Sequence, residues 1–454
     1  MDQSNLGRVV PMTPHLSANL RSLVGPANGT AGVSLIDEDA EHLQHILDLP
    51  LSWQTYARIK PAVRKIGVTG NFKQVLETFP TPPQETPPGF RIDFNLEAEG
   101  VLRVDLARDI SYDKNSQKRA TNFLFSADSA NPYEVAAIKN QLANLTCNPG
   151  IIYDLFINNP KANVGNKYKD RDEVMMALGD ILGPGCDISV EVNNPFDDIE
   201  KILDEAEHFR EMLSPYRVVI KIPHTGPVNA GNVDQLLNGD KRFGGRYDKG
   251  PTKDMLRGHN LAMILREKGF KINFTLMFEA EQTAMALQAK PYFINSFIRH
   301  RLAQSQEMKR LLDFFELTED VSHIDKLRSF MIDKDYLSPA DKDMNLIEVM
   351  KMARRILQYR SAEGEAHIDG LDGVRHNLRM LRQVNLPETR LILCSMEGDY
   401  NYPDIDRLLA DPEFADMMGR VVVTAEPEYL ARFTSANQVV SYQRRFMNAA
   451  NGAK

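Results

Sequence analysis

From residue 123 onward the chain alternates short apolar runs with longer amphipathic stretches. The runs fall at 123–127 (FLFSA), 143–147 (ANLTC), 187–192 (DISVEV), 217–223 (RVVIKIP), 271–278 (KINFTLMF), 291–298 (PYFINSFI), 390–395 (RLILCS) and 419–425 (GRVVVTA). Each is four to eight residues long, rich in Val, Ile and Phe, and most are bounded by Gly, Pro or Asn, the pattern of a strand buried on both faces. Between them, segments such as NPYEVAAIKNQL, FDDIEKILDEAEHFREML and DMLRGHNLAMILREKG repeat their apolar positions at helical spacing. Eight such strands separated by helices predict a (β/α)8 barrel; a doubly wound open sheet usually has fewer strands and a glycine fingerprint after the first. Two connections are too long for simple barrel loops, 224–253 and 303–388, and the second is itself helical in pattern and expected to cover part of the barrel.

Residues 1–118 read differently, as an N-terminal α+β extension ahead of a barrel over 119–454. Amphipathic stretches lie at 38–48 and 52–65, and a Pro-rich break, PTPPQETPPG, occupies 80–89. Ile92, Phe94 and Leu96, then Leu102, Val104 and Leu106, alternate with polar residues on either side of Gly100, which predicts a hairpin over 91–107. GPANGTAG at 25–32 has no strand before it or helix after it and reads as a turn rather than a phosphate loop.

Composition narrows the partners. Of 454 residues, 43% are hydrophobic and 26% charged, with a net charge of −8. No basic block appears, so nucleic acid and anionic membranes are not expected as partners. Cys147, Cys186 and Cys394 lack metal-site or disulfide spacing and read as reduced thiols. The start has no apolar, positively flanked leader, and Asn144 and Asn273 sit in N-x-T sequons within strand-like contexts closed to a glycan; a cytoplasmic address is expected.

In a barrel, polar residues at the carboxyl ends of the strands converge on one face. Those positions hold Asp128, Thr146 with Asn148, Glu191, Lys221, Asn273 with Thr275, Asn295 with Ser296, and Ser395. Lys221 is the odd one: an amine among Val218, Val219, Ile220 and Ile222. Lysine is rarely buried without a partner or a chemical task. An amine attacks a ketone only when neutral, and burial disfavours the ammonium, which is how Schiff-base lysines are made. Neighbouring carboxylates, Asp128 or Glu191, would shuttle protons directly or through a water held by Thr275. Taken singly, each residue also has a plainer reading: Lys221 an edge lysine, Asp128 a helix cap, Glu191 an ion-pair partner of Lys221, Asn148 a turn residue before Pro149.

The order of these pieces resembles the transaldolase and fructose-6-phosphate aldolase family of class I aldolases, over about residues 121–430 apart from the two insertions. The motifs that carry the resemblance are FLFSADSANPYEV with Asp128, LTCNPGII with Thr146 and Asn148, ISVEVN with Glu191, VVIKIPHT with Lys221 and Thr225, and INFTLMFEAEQTAMA with Asn273 and Thr275. Cys147 and Gly150 depart from the second motif. The resemblance implies Lys221 as imine-forming nucleophile, Asp128 as proton donor and acceptor, and Glu191 with Thr275 holding a catalytic water. It implies Asn148, Asn273 and Asn295 on donor hydroxyls, with no metal or organic cofactor.

Strands six and seven depart from the family pattern. NSFIRHRL has Asn295 for the family's serine and Phe297 at its aromatic, with His300 where a phosphate-binding arginine belongs, flanked by Arg299 and Arg301. CSMEG keeps Ser395 but has Glu397 for an arginine, and a carboxylate repels phosphate. Arg242 and Arg246, in the insertion after Lys221, are the alternative phosphate contacts; a loop that only meets solvent or another subunit is the competing reading. Phe297 and Glu191 are similar to transaldolases rather than to the aldolases of the family. The expected activity is transfer of a dihydroxyacetone unit from a ketose or ketose phosphate to an aldose. The rivals are a class I aldolase acting on an unphosphorylated or atypical sugar, and a non-catalytic barrel used for binding or assembly. A small sugar or sugar phosphate is the expected partner, with homo-oligomerisation kept as an option.

Overall fold

The computed structural model describes residues 18–25, 32–112, 117–119, 123–360, 369–395 and 401–452. Most of GPANGTAG, including Asn28, lies outside them, as does Glu397. The chain divides into two compact units, residues 1–119 and 120–454.

The first unit contains β1 (Ser34–Leu35), α1 (Ala40–Leu43), α2 (Trp53–Ile59), β2 (Lys65–Val68), α3 (Gly70–Thr78), β3 (Phe90–Leu96) and β4 (Val101–Arg108). Its sheet has the order β1-β2-β4-β3. The β3–β4 pair is antiparallel with Leu96 opposite Leu102, which is the expected hairpin. At its turn Gly100 has φ +78°, and a Cβ there would lie 2.5 Å from the Ala62 carbonyl oxygen, so only glycine fits. β1 and β2 were not legible as strands, because two- and four-residue strands are too short to show alternation. The sheet buries Ile66, Leu102 and Val104 with Phe72 of α3, a helix started by the Thr69 side chain accepting from Phe72 N.

The second unit is a closed, all-parallel barrel of eight strands, as the run pattern predicts. In chain order it comprises β5 (Leu124–Asp128), α4 (Pro132–Ile138), β6 (Leu142–Cys147), α5 (Arg171–Leu182), β7 (Asp187–Glu191), α6 (Ile199–Met212), β8 (Arg217–Pro223), α7 (Asp234–Leu237), α8 (Thr252–Met255) and α9 (Arg257–Glu267). There follow β9 (Ile272–Met277), α10 (Glu281–Gln288), β10 (Phe293–Ile298), α11 (His300–Thr318), α12 (Ser322–Asp333), α13 (Leu346–Tyr359), α14 (Asp372–Gln383), β11 (Arg390–Ser395), α15 (Asn401–Ala410), β12 (Val421–Ala425), α16 (Pro427–Arg432) and α17 (Asn437–Ala450). β12 pairs with β5 to close the ring. Every strand falls on a predicted run, because burial on both faces leaves a continuous apolar signature.

The barrel interior is not wholly apolar. Thr424 and Asn144 both donate to Ser126 Oγ, at 3.1 and 2.9 Å, and Ser189 donates to Asn144 Oδ1 at 3.2 Å. These bonds tie β12, β5, β6 and β7 together across the interior. Toward the amino ends of the strands, the fully buried Arg217 and Asp187 form an ion pair at 3.2 Å. Asn144 and Asn273 are wholly buried, and a glycan on either would not fit.

The helices α11–α13 hold an apolar cluster of their own, including Met308, Leu311, Leu327, Met331, Val349 and Ala353. α14 packs against β10 and β11 and serves as the barrel helix between them. The loop after β8 is docked on the added helices. Arg242 donates to the Ile332 carbonyl at 2.7 Å and pairs with Asp333 at 2.9 Å, and Ser338 Oγ donates to the Gly244 carbonyl at 2.7 Å. Among the described residues, no helix is long and apolar enough to cross a membrane.

Candidate active site

Alternation along β8 decides where Lys221 points. Val219, Lys221 and Pro223 share one face, and Val218, Ile220 and Ile222 the other. Lys221 is 4% exposed, and its Nζ lies 3.1 Å from Glu191 Oε2, the residue directly opposite it on β7. Asp128 ends β5, also at the carboxyl end of the barrel. It does not cap the following helix: Asn131 does, accepting from Tyr133 N at 3.1 Å.

The electrostatics correct one expectation. Burial does act to lower the Lys221 pKa and is the largest single influence, but the carboxylates of Glu191 and Asp128 overcome it, and the net direction is upward. Lys221 is therefore an ammonium held by two acids, not an amine made neutral by apolar walls. Asp128 moves the other way from a typical ion-paired acid. Burial pushes its carboxyl up to about 6, against the pull of Lys221, with Glu426 and Glu191 adding repulsion. An acid that titrates near neutrality beside an ammonium is suited to receive and return a proton.

Around this pair lie buried polar atoms with no protein partner among the described residues: Thr146 Oγ1, both amide atoms of Asn273, and Thr275 Oγ1. Asn273 sits opposite Lys221 in the β8–β9 register, and Thr275 opposite Pro223. Thr146 sits opposite Asp128 on β6. Leaving a buried polar group unpaired costs about 1–3 kcal/mol, so four such atoms around one lysine mark a surface built to bind hydroxyls or water.

The remaining expected residues divide into two groups. Asn295 is buried, and its Oδ1 accepts from Cys394 Sγ at 3.3 Å. Phe297 stacks on Phe278 with ring centroids 4.6 Å apart. Asn148 turns its Oδ1 back to Ile151 N at 2.9 Å, the turn role that Pro149 suggested. Ser395 ends β11, opposite Ile298 of β10.

The arginines differ from expectation, because each is already engaged. Arg299 pairs with Asp404, and Arg301 with Asp372 and with Glu279 at 3.3 Å. Arg246 pairs with Asp248 at 3.1 Å and leans on Met352, and Arg242 is held by Asp333 as described above. The insertion arginines tether a loop to the added helices and do not present a free cationic cradle. The reason lies in acids far away in sequence, such as Asp333, Asp372 and Asp404.

Three further groups lie near the site, two of them thiols. Cys394 faces Asn295, and burial raises its thiol well above the ordinary range, while burial pushes Cys147 up to about 12; both thiols are unreactive in this state. Glu426 follows Ala425, which lies opposite Ala127, so the register sets it beside Asp128. Glu426 stands just past the carboxyl end of the run GRVVVTA, the position that holds polar residues on the other strands and the signal by which the sequence marks it.

Residues 125–330 match the transaldolase/fructose-6-phosphate aldolase family, a segment that runs from β5 into α12 and contains Asp128, Thr146, Glu191, Lys221, Asn273 and Thr275. The resemblance read from the strand-end motifs holds over that segment. The match suggests an enzyme of the transaldolase or aldolase type. No curated protein matches the chain.

Proposed function

We propose that the protein transfers a dihydroxyacetone unit from a ketose donor to an aldose acceptor through a Schiff base on Lys221. The observation that carries this reading is a buried lysine held between Glu191 and Asp128 at the carboxyl end of the barrel, with unpaired hydroxyl and amide groups beside it. Lys221 first passes its extra proton to a carboxylate, Glu191 at 3.1 Å being in direct reach. The neutral amine attacks C2 of the ketose to give a carbinolamine, which loses water to form the iminium ion. Glu191 and Thr275 handle that water. Asp128 takes the proton of the C4 hydroxyl, the C3–C4 bond breaks, and its electron pair moves into the iminium to give an enamine as the aldose product leaves. C3 of the enamine then adds to the acceptor aldehyde, whose oxygen takes the proton back from Asp128, and hydrolysis frees Lys221. Asn148, Asn273, Asn295 and Thr146 orient the donor.

A plain aldolase is the second reading, and the ion-paired state of Arg299 and Arg301 favours it. With both cations already neutralised, a phosphorylated acceptor gains less there. Release of free dihydroxyacetone from a ketose without acceptor supports the aldolase, and its absence supports transfer. The test of the shared chemistry is borohydride trapping across phosphorylated and free ketoses, read by peptide mass spectrometry. A reduced adduct on Lys221, lost in Lys221→Ala, is expected; no adduct with any ketose sinks the proposal.

A further inference from the structure

The two insertions build a second cleft, separate from the catalytic group. It has a volume of about 500 Å³ and lies between α10, α13, α14 and the loop after β8. That size is within the range of small-molecule sites. None of Lys221, Asp128, Glu191 or Thr275 lines it.

Its walls have distinct chemistry. Arg355 and Tyr359 are four residues apart on α13 and share a helix face. His376 faces them from α14. Arg355 is exposed, and neither it nor His376 has a counter-ion or hydrogen-bond partner among the described residues. This contrasts with the other cations of the cleft. Arg301 and Arg360 share Glu279, Arg360 also donates to Tyr336 Oη at 2.8 Å, and Arg379 pairs with Glu413. The inner wall is thus an ion-paired, hydrogen-bonded floor, and among the described residues the cation of the lining left without a partner is Arg355, with the His376 imidazole across from it. Tyr247 and Tyr359 expose their rings. Of the other acids of the lining, Asp372 is bound to Arg301, and Glu281, on α10, disfavours an anion at that end.

We propose that this cleft binds a sugar phosphate. The phosphate meets Arg355 and His376, the tyrosine rings cover the C–H faces of the sugar, and the Glu279–Arg360 floor with Tyr336 takes its hydroxyls. The inference stands whether or not the catalytic reading does, because none of Lys221, Asp128, Glu191 or Thr275 contributes to the cleft.

Titration calorimetry of the full-length chain with glucose 6-phosphate, free glucose and inorganic phosphate tests it. Saturable binding of glucose 6-phosphate is expected, weakened about tenfold or more in Arg355→Glu, as loss of a charge-assisted contact requires. His376→Ala should weaken it as well, and Lys221→Ala should leave it unchanged. Three results overturn the proposal: no saturable binding, equal affinity in Arg355→Glu, or loss in Lys221→Ala, which would place the ligand at the barrel mouth. Inorganic phosphate binding as tightly as the sugar phosphate would also overturn it. Arg355 is exposed and without a hydrogen bond or ion pair among the described residues, so its substitution breaks none with them, and an unchanged unfolding transition is the expected control.

Discussion

At the scale of residues, the chemistry turns on how protons are shared among Lys221, Glu191 and Asp128. A lysine stabilised as ammonium needs an acceptor before it can attack, and an aspartate displaced upward to about 6 is protonated over much of the mildly acid range. Turnover should therefore rise as pH passes through about 6, as Asp128 ionises. In Asp128→Asn that limb should vanish and kcat should fall about 10²–10⁴-fold, the usual worth of a placed acid–base group. A pH–rate profile of both proteins checks this. Stability should report the same group. A carboxyl whose folded pKa is raised stabilises the fold below its ordinary value and loses that contribution as pH rises through the folded value. Wild type should thus lose stability relative to Asp128→Asn between pH about 4 and about 6, measured by denaturant titration.

At the scale of elements, the strands of the barrel position the site and the insertions constrain the loop beyond it. Residue-by-residue registers bring Glu191 opposite Lys221, Asn273 opposite Lys221 and Thr146 opposite Asp128, so a slip of one residue would turn each to the other face. The loop after β8 is held by Arg242 on α12 and Arg246 beside α13. Reversing both charges, Arg242→Glu with Arg246→Glu, should free this loop. Limited proteolysis within 238–250 should accelerate several-fold, while KM for a sugar phosphate at the Lys221 site stays unchanged, because neither arginine is a free cation there. A raised KM would return these residues to the substrate site.

At the scale of the whole molecule, the two units have separate apolar cores, one around Ile66, Phe72 and Leu102 and one around the barrel. Each should lose stability through its own core. Phe72→Ala, at a fully buried position, should cost the smaller unit about 3–5 kcal/mol through lost burial and a cavity. Calorimetry should show an earlier transition for that unit, with turnover at Lys221 retained at temperatures above it, up to the transition of the barrel. Loss of turnover together with that transition would instead tie catalysis to residues 1–119.

The amino-acid sequence by itself determined the eight strands, their alternation with helices and the convergence of Asp128, Thr146, Glu191, Lys221, Asn273 and Thr275 at one end. Burial on both faces writes a strand into its own residues, and parallel pairing carries the strand ends to a common face. The short strands β1 and β2 were not visible, because they are defined by partners rather than by alternation. Tertiary structure alone decided the charge state of Lys221, since an apolar neighbourhood and two acids from other strands pull in opposite directions, and only their distances say which prevails. It likewise decided the fate of the arginines. Arg242, Arg299 and Arg301 look like phosphate ligands in isolation, but Asp333, Asp404, Asp372 and Glu279 reach them from elements whose approach no local pattern encodes.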